Sequence, residues 1–297
     1  MKTPKPRKVL KKAFFSQEKN VKTISSESKK FSASKKINPK LNTGWGGVAS
    51  WYEATVNEKF SYQKDLILPS LLKFVLRENF EAKSVLDIGC GNGFFMKEFA
   101  KFKPYKIVGV DIDEELLVNT IEAIKEIPGE IEARAQMLSA NDLNKLEEKN
   151  FDLLFAIESL VNMQYLDTAA KNIASKMHGG SSFFAVVNHP SFRVPQESDW
   201  YYDETKKAQG RVVYHYKTSK TIKIDMNPGS KANKKYTYTF HRSMEEYVNI
   251  FAENGMYLKK IREVCSNKKS GTGPRQVAED NARNEIPLFL FMEFVKN

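Results

Sequence analysis

A glycine-rich segment after a short apolar run carries the clearest chemistry in this sequence. Residues 84–95 read SVLDIGCGNGFF, with glycine at positions 89, 91 and 93 and Asp87 two residues before the first of them. Such glycines let the backbone turn tightly and approach a ligand where a Cβ atom would collide, and a helix that follows presents free N–H groups. A dinucleotide loop places its third glycine one position later, where Phe94 stands, and the Gly-Lys-Ser/Thr ending of a phosphate-binding loop is absent. The segment therefore predicts a cofactor loop of a different kind.

A second acidic residue ends the next apolar run. Residues 106–113 read KIVGVDID, which predicts a short strand that ends at Asp111. A carboxylate at a strand end beside a glycine loop can accept hydrogen bonds from both vicinal hydroxyls of a ribose. Each feature alone has a structural alternative, the glycines as a tight turn and Asp111 as a strand-end cap. The two together, in this order, favour a cofactor that contains a ribose.

These two segments resemble the cofactor-binding half of class I S-adenosylmethionine-dependent methyltransferases. The resemblance implies a methyltransferase with a Rossmann-like fold and S-adenosyl-L-methionine as its cofactor. It implies that Asp87 lies near the methionine amino group, Asp111 on the ribose hydroxyls and Ile112 against the adenine face. The full set of cofactor-binding residues predicted in this way is Asp87, Gly89, Cys90, Gly91, Asp111, Ile112, Ser139 and Ala140. For Cys90 the alternative is a small side chain packed inside the loop.

The resemblance extends from Trp45 to Leu290 and is to a bacterial subgroup whose methyl acceptor is not settled. Its further motifs are WGGVASWY at 45–52, NHPSFRVP at 188–195, MNPG at 226–229, FHR at 240–242 and the segments AR at 282–283 and IPLFL at 286–290. The sequence departs from the expected pattern at Ser139, where an acid would receive the adenine amino group. Either the Ser139 hydroxyl or the carboxylate of Asp142 must take that role.

Strands and helices alternate after residue 84, which predicts an α/β fold with a doubly wound, mostly parallel sheet. Strands are expected near 84–88, 106–111, 131–137, 151–157 and 181–188, and two later apolar runs at 256–264 and 286–295 complete seven strands. Helices are expected near 61–79, 94–102, 114–126, 142–148, 165–177 and 243–255. The resemblance implies that the last strand is antiparallel. Residues 189–240 interrupt the alternation and are predicted to form an inserted lid after the fifth strand.

The basic charge of the chain is concentrated at its start. The 297 residues carry a formal net charge of +11, and residues 1–40 hold 13 Lys and Arg against two acids, so the remainder is neutral. We predict a disordered basic tail over 1–42 and a methyltransferase domain over 43–297. The tail is interpreted as a solubilising extension, a weak electrostatic arm for nucleic acid or a targeting peptide. With two cysteines and no apolar run long enough to span a bilayer, the expectation is a cytoplasmic protein without membrane contact.

The predicted acceptor site lies where the fourth and fifth strands end. A methylsulfonium is already an activated electrophile, so the protein has mainly to hold the acceptor in line and exclude water. His189 follows the fifth strand and is predicted to be the catalytic base, with a structural histidine beside Pro190 as the alternative. The residues predicted to contact the substrate are Trp51, Tyr52, Asn188 and Trp200, with core or lid packing as the alternative for the aromatic ones. Glu158 and Asn162, after the fourth strand, are interpreted as cofactor or acceptor contacts or as loop caps.

The absence of certain motifs narrows the chemical class of the methyl acceptor. No Asp/Asn-Pro-Pro-aromatic motif follows the fourth strand, which disfavours methylation of an adenine amino group, and two cysteines do not supply the thiol pair for pyrimidine C5. The sequence contains no Cys/His cluster typical of structural zinc, so no metal is predicted. The favoured function is methyl transfer to a small-molecule acceptor. The alternatives are a methyltransferase acting on RNA or a translation-related protein, and a cofactor-binding module without catalysis; the oligomeric state stays open.

Overall fold

The computed structural model describes residues 41, 43–45, 61–226 and 236–297. Most of the predicted basic tail lies outside these residues, as do Trp51 and Tyr52. Within the described residues, no helix combines the length and apolarity needed to cross a membrane.

A seven-stranded sheet forms the centre of the domain. The strands of the chain are β1 (Ser84–Ile88), β2 (Lys106–Asp111), β3 (Glu132–Met137), β4 (Phe151–Ile157), β5 (Met177–Asn188), β6 (Ser198–Asp203), β7 (Ala208–Val213), β8 (Lys220–Asp225), β9 (Tyr236–His241), β10 (Met256–Val264) and β11 (Phe289–Lys296). The large sheet has the order β10-β11-β5-β4-β1-β2-β3. Strands β3, β2, β1, β4 and β5 pair in parallel, and β11 is antiparallel to both of its neighbours. The predicted sheet, including its antiparallel last strand, is confirmed.

Helices cover both faces of this sheet. They are α1 (Leu68–Val75), α2 (Phe94–Ala100), α3 (Glu114–Lys125), α4 (Leu166–Ser175), α5 (Met244–Ala252) and α6 (Gln276–Glu285). Val85 on β1 packs with α1 and α2 in one buried cluster, whereas its neighbour Leu86 packs with α4 and α5 in the other. Successive side chains of a strand point to opposite faces, so an apolar run buried on both faces is what a doubly covered sheet requires. This arrangement leaves the carboxyl ends of the parallel strands as the open edge where a ligand can bind.

Aromatic side chains link the layer of α1 and α2 to the middle of the sheet. The rings of Phe80 and Phe155 stack with centroids 5.7 Å apart, Phe99 lies 4.5 Å from Phe155, and Phe184 stacks on Phe155 at 5.2 Å. Offset and tilted ring pairs at these separations add to the free energy gained from burying apolar area. This core fixes the relative positions of β1, β4 and β5, whose ends carry the candidate site.

The insertion between β5 and α5 forms two hairpins. Strand β6 pairs with β7 and β8 with β9, each antiparallel, and residues 227–235 lie outside the described residues. The alternating Tyr-Thr-Tyr-Thr-Phe pattern correctly predicts β9, whereas β6, β7, β8 and helix α6 are not foreseen from the sequence. The helix α5 begins as predicted, with the Ser243 hydroxyl accepting a hydrogen bond from the N–H of Glu246 at 3.3 Å.

Candidate functional site

A cavity of about 680 Å³ opens at the carboxyl ends of β1, β2, β4 and β5. This volume is in the range of pockets that bind cofactors and small molecules. Its walls come from the glycine loop, the end of β2, the turn after β3, the loop after β4 and the end of β5. Of the predicted site residues, the lining includes Gly89, Gly91, Asp111, Ile112, Ser139, Ala140 and Asn188.

The glycine loop adopts a conformation that side chains would resist. Gly89, Gly91 and Gly93 have φ values of +82°, +57° and +78°, in the left-handed region that glycine tolerates. A Cβ atom on Gly89 would collide with the Cβ of Ser159, whose hydroxyl donates to the carbonyl of Ile88 at 2.6 Å. The glycine loop and the loop after β4 are therefore in direct contact, so the two walls of the cavity hold each other in place.

Asp111 ties the end of β2 to the glycine loop. One carboxylate oxygen accepts the N–H of Gly91 at 2.9 Å and the other accepts the N–H of Asp113 at 3.0 Å. Each carboxylate oxygen has two lone pairs, so both can still accept a hydrogen bond from a ligand hydroxyl. Burial raises the pKa of Asp111 above its ordinary value, against the lowering effect of these N–H donors. A pair of ribose hydroxyls is a ligand that matches this arrangement.

Asp87 is a buried carboxylate one residue before the cavity-lining end of β1. Its side chain is 1% exposed, and its Oδ2 atom has no hydrogen-bond partner. Burial, followed by the charge of Asp111, raises the pKa of Asp87 to about 7. A buried acceptor without a donor is energetically costly, and an ammonium group of a ligand would satisfy it.

A pH dependence of cofactor binding follows from the raised pKa of Asp87. Binding of an ammonium group favours the ionised carboxylate, so we expect the affinity for S-adenosylmethionine to increase as the pH rises from 6 to 7.5. The Asp87→Asn variant should bind more weakly and lose most of this increase, which calorimetric titrations at several pH values can measure. An equal pH dependence in both proteins would contradict the assigned contact.

The turn after β3 supplies polar groups beside Ile112. The Ser139 hydroxyl accepts the N–H of Asn141 at 3.2 Å and so caps the short helical turn Ala140–Lys145. Asn141 lines the cavity and its buried Oδ1 atom has no partner, whereas Asp142 pairs with Lys145 at 2.8 Å and is absent from the lining. The side-chain amide of Asn141 offers the hydrogen-bonding groups that an adenine edge requires. Asn141 is not among the predicted residues, because the expected partner of the adenine amino group is an acid or a hydroxyl.

Glu158 lies at the opposite wall, directly after β4. Its φ of +56° is unusual for a residue other than glycine, and such strain is concentrated at functional sites. The Oε2 atom accepts a hydrogen bond from the Asn188 side chain at 2.8 Å, while the buried Oε1 atom has no partner. Burial raises the pKa of Glu158 to about 8. Glu158 and Asn188 both line the cavity and connect the ends of β4 and β5.

His189 lies outside the cavity lining and is engaged on both ring nitrogens. It is 1% exposed, its Nε2 atom lies 2.8 Å from Glu263 Oε1, and the N–H of Ser191 donates to its Nδ1 atom. A ring whose Nδ1 accepts a hydrogen bond carries its proton on Nε2, which donates to the carboxylate. Burial lowers the pKa of His189. This geometry favours the structural alternative over the predicted catalytic base.

Two further predicted site residues lie away from the cavity. Cys90 is 5% exposed, and its sulfur fills the space beside Gly109, so its side chain packs inside the fold. Burial raises the pKa of its thiol well above the ordinary value. Trp200 belongs to β6, between two arginine side chains, and is not part of the cavity lining. Both observations favour the packing alternatives, and the contacts of Cys90 with the cofactor and of Trp200 with the substrate stay predictions.

The described part of the insertion supports one cavity wall and contributes no lining residue. The Asn162 side chain donates to the carbonyl of Tyr238 at 3.0 Å, and the Thr239 hydroxyl donates to the carbonyl of Val161 at 3.1 Å. Arg242 donates to the carbonyls of two lining residues, Met163 at 2.6 Å and Gln164 at 3.1 Å. Through these hydrogen bonds the described residues of the insertion support the loop after β4. The predicted insertion after β5 is confirmed, and its role as a lid stays a prediction.

The few described residues before Ser61 also reach the cavity. Leu41, Thr43, Gly44 and Trp45 belong to the lining, and the N–H of Leu41 donates to the Gln164 side chain at 3.1 Å. These residues lie near the predicted start of the methyltransferase domain at residue 43, which stays a prediction. Within residues 61–226 and 236–297, no group of three His, Cys, Asp or Glu side chains is arranged to hold a metal ion.

The sequence is similar to a methyltransferase family and to curated methyltransferases. Residues 85–180 match the family model described as a methyltransferase domain. The chain is 28% identical over 127 residues to ubiquinone biosynthesis O-methyltransferase from Hydrogenovibrio crunogenus, covering 41% of this chain and 50% of that protein. It is 34% identical over 94 residues to tRNA U34 carboxymethyltransferase from Campylobacter jejuni, covering 30% of this chain and 31% of that protein. The chain thus spans half or less of the length of these two curated relatives.

The fold also matches that of a solved structure. The S-adenosylmethionine-dependent methyltransferase from Mesorhizobium loti has a TM-score of 0.58 to this chain at 20% sequence identity. The match covers 76% of this chain and 96% of that structure. At this level of identity the two proteins share a fold.

Proposed function

We propose that this chain, which belongs to the class I S-adenosylmethionine-dependent methyltransferases, transfers a methyl group to a small-molecule acceptor held beside Glu158 and Asn188. The observation that carries the proposal is the buried Oε1 atom of Glu158, which has no partner and belongs to a cavity-lining residue next to the cofactor loop. A carboxylate in that position suits an acceptor that presents an O–H or N–H group.

The chain's residues fit the cofactor. The glycine loop leaves no side chain in the way of a ligand, Asp111 can accept from ribose hydroxyls, and Asp87 lacks the donor that an amino group would supply. S-adenosylmethionine, when bound, supplies a methyl group on a positively charged sulfur. These residues bind and orient it, and the braced loop after β4 helps to exclude water.

Glu158 and Asn188 are proposed to position the acceptor. The Asn188 amide holds one carboxylate oxygen of Glu158, which leaves the other to accept a hydrogen bond from the acceptor's nucleophilic group. As that group attacks the methyl carbon, its proton passes to Glu158 Oε1, so no charged intermediate is left in the cavity. The raised pKa of Glu158, about 8, makes its ionised carboxylate a stronger base than an ordinary exposed one, and this ionised form predominates above about pH 8.

A small-molecule acceptor is supported by the size of the cavity and by the neutral charge of residues 41–297. The curated relative from Hydrogenovibrio crunogenus is an O-methyltransferase of ubiquinone biosynthesis, which is in keeping with an acceptor of this class. The second candidate is an RNA acceptor. It is favoured by the basic residues 1–40 and by the relative named for tRNA U34.

Transfer of labelled methyl groups separates these candidates. The full-length protein is incubated with methyl-labelled S-adenosylmethionine in three separate reactions. Each reaction contains one fraction of a bacterial extract: the low-mass, the RNA or the protein fraction. We expect label in the low-mass fraction. Label confined to RNA or protein would favour the second candidate, and no transfer to any fraction by a protein that binds the cofactor would favour a non-catalytic module.

A further inference from the structure

Two arginine side chains lie against the ring of Trp200, in the insertion after β5 and outside the cavity lining. The Cζ atoms of Arg193 and Arg211 each lie 5.0 Å from the centroid of the Trp200 ring. Cation–π contact of this kind holds a guanidinium group in place without neutralising its charge. Arg193, Arg211 and Arg283 are called the arginine cluster below.

Arg193 has no acceptor for its guanidinium group among the described residues. Its buried Nε atom has no hydrogen-bond partner, and it forms no ion pair within the described part of the chain. Burial, followed by the charge of Arg211, with Arg283 contributing, lowers the pKa of Arg193 to about 10. A partly buried cation that lies near two other cations and lacks a hydrogen-bond acceptor is unfavourable unless an anion joins it.

The other two arginines are held by neutral acceptors only. Arg211 donates to the carbonyl of Phe192 and, at 2.7 Å, to the hydroxyl of Ser198, while Arg283 donates to the hydroxyl of Ser270 at 3.2 Å. The arginine ion pairs within the described residues are made by Arg134, Arg242 and Arg275, none of which belongs to the cluster. The fold therefore orients the cluster without giving it an ion pair among the described residues, and the charge of Asp199 only partly opposes the lowering of the pKa of Arg211 by burial.

We propose that the arginine cluster binds an oxyanion, a carboxylate or phosphate group carried by the methyl acceptor. A guanidinium presents its N–H donors as a planar fork that matches the two oxygens of such a group. In this proposal the guanidinium group of Arg193 donates to the anion, and the nearby Arg211 and Arg283 add positive charge.

The position of Arg193 in the chain connects the cluster to the cavity. Asn188 lines the cavity, and the next residues form a single turn in which the N–H of Arg193 donates to the carbonyl of His189 at 2.8 Å. Buried His189 and its bond to Glu263 anchor this turn, so Arg193 is fixed relative to Asn188. The assignment of the anion to the acceptor rests on the proposed function. The presence of an oxyanion site at the arginine cluster is independent of the proposed function.

Anion titration tests the site independently of methyl transfer. Thermal unfolding of the full-length protein is followed while inorganic phosphate, or benzoate as a carboxylate probe, replaces chloride at constant ionic strength. We expect one of the two anions to raise the Tm in a saturable way, and Arg193→Gln to weaken that anion's apparent affinity at least tenfold. Arg275→Gln is the matched control, because Arg275 is already paired with Glu204 at 2.7 Å, and it should behave as wild type.

Two results would overturn the proposal: no saturable shift with either anion, or the same shift in Arg193→Gln as in wild type. Arg283→Gln replaces Arg193→Gln if the latter does not fold. Calorimetry with S-adenosylmethionine is run on the same proteins, and Arg193→Gln should bind the cofactor as wild type does. Loss of cofactor binding in wild type would remove the proposed function while leaving the anion result to stand by itself.

Discussion

Replacing Asp111 with alanine is expected to weaken S-adenosylmethionine binding by about 2 to 4 kcal/mol, roughly 30-fold to 900-fold in Kd. The variant loses the carboxylate that we assign to the ribose hydroxyls. It also loses the acceptors for the N–H groups of Gly91 and Asp113, which hold the glycine loop against the end of β2. Isothermal titration calorimetry on the folded variant measures the change directly.

Glu114→Ala is the control for this measurement. Glu114 is an exposed residue three positions further on, in the first turn of α3, and its replacement should leave the Kd within about twofold. Unchanged affinity in a folded Asp111→Ala protein would place the cofactor elsewhere.

Replacing Glu158 with glutamine is expected to lower the methyl-transfer rate at least about 100-fold, the lower end of what a positioned proton acceptor contributes. Glutamine keeps the shape of the side chain and can still pair with Asn188, but it cannot accept the acceptor's proton. The rate is measured with labelled S-adenosylmethionine and the low-mass fraction that accepts label. Binding of the neutral product S-adenosylhomocysteine, measured by calorimetry, should change little.

Exposed Glu253 provides the matched control, since Glu253→Gln makes the same chemical change far from Glu158 in the sequence and outside the cavity lining. A Glu158→Gln protein with normal turnover would remove Glu158 from the proposed proton transfer. A loss of turnover in proportion to a loss of folded protein would assign it a structural role instead.

The cofactor half of the site could be predicted from the sequence because its determinants are local. Gly89, Gly91 and Asp111 lie within two short segments, and the strand ends on which they sit are visible as apolar runs. The seven-stranded sheet was predictable for the same reason. Strands β1, β2, β4 and β11 are buried on both faces and read as continuous apolar stretches, whereas β3 and β10 are more exposed and carry a weaker pattern.

The acceptor half depends on contacts between residues distant in the chain. The role that we propose for Glu158 depends on Asn188, thirty residues later, which donates to one carboxylate oxygen, while the other has no partner. His189 shows the converse. Its position after β5 suggests a catalytic base, but its Nε2 atom is hydrogen-bonded to the Glu263 carboxylate on β10. The sequence alone does not reveal that pairing.

The elements that sequence analysis missed have weak apolar patterns. Helix α6 reads QVAEDNARNE and buries only two alanines, Ala278 and Ala282, so it lacks the apolar stripe by which an amphipathic helix is recognised. Strand β6 reads SDWYYD, in which three adjacent aromatic residues do not alternate with polar ones, and none of its residues is buried.

A crystal structure of the protein with S-adenosylhomocysteine tests the central claim most directly. Our account predicts the product in the cavity, with its amino group beside Asp87, its ribose hydroxyls on Asp111, its adenine between Ile112 and Asn141, and Glu158 facing the sulfur. Product bound away from the glycine loop, or bound there with Glu158 distant from the sulfur, would contradict it.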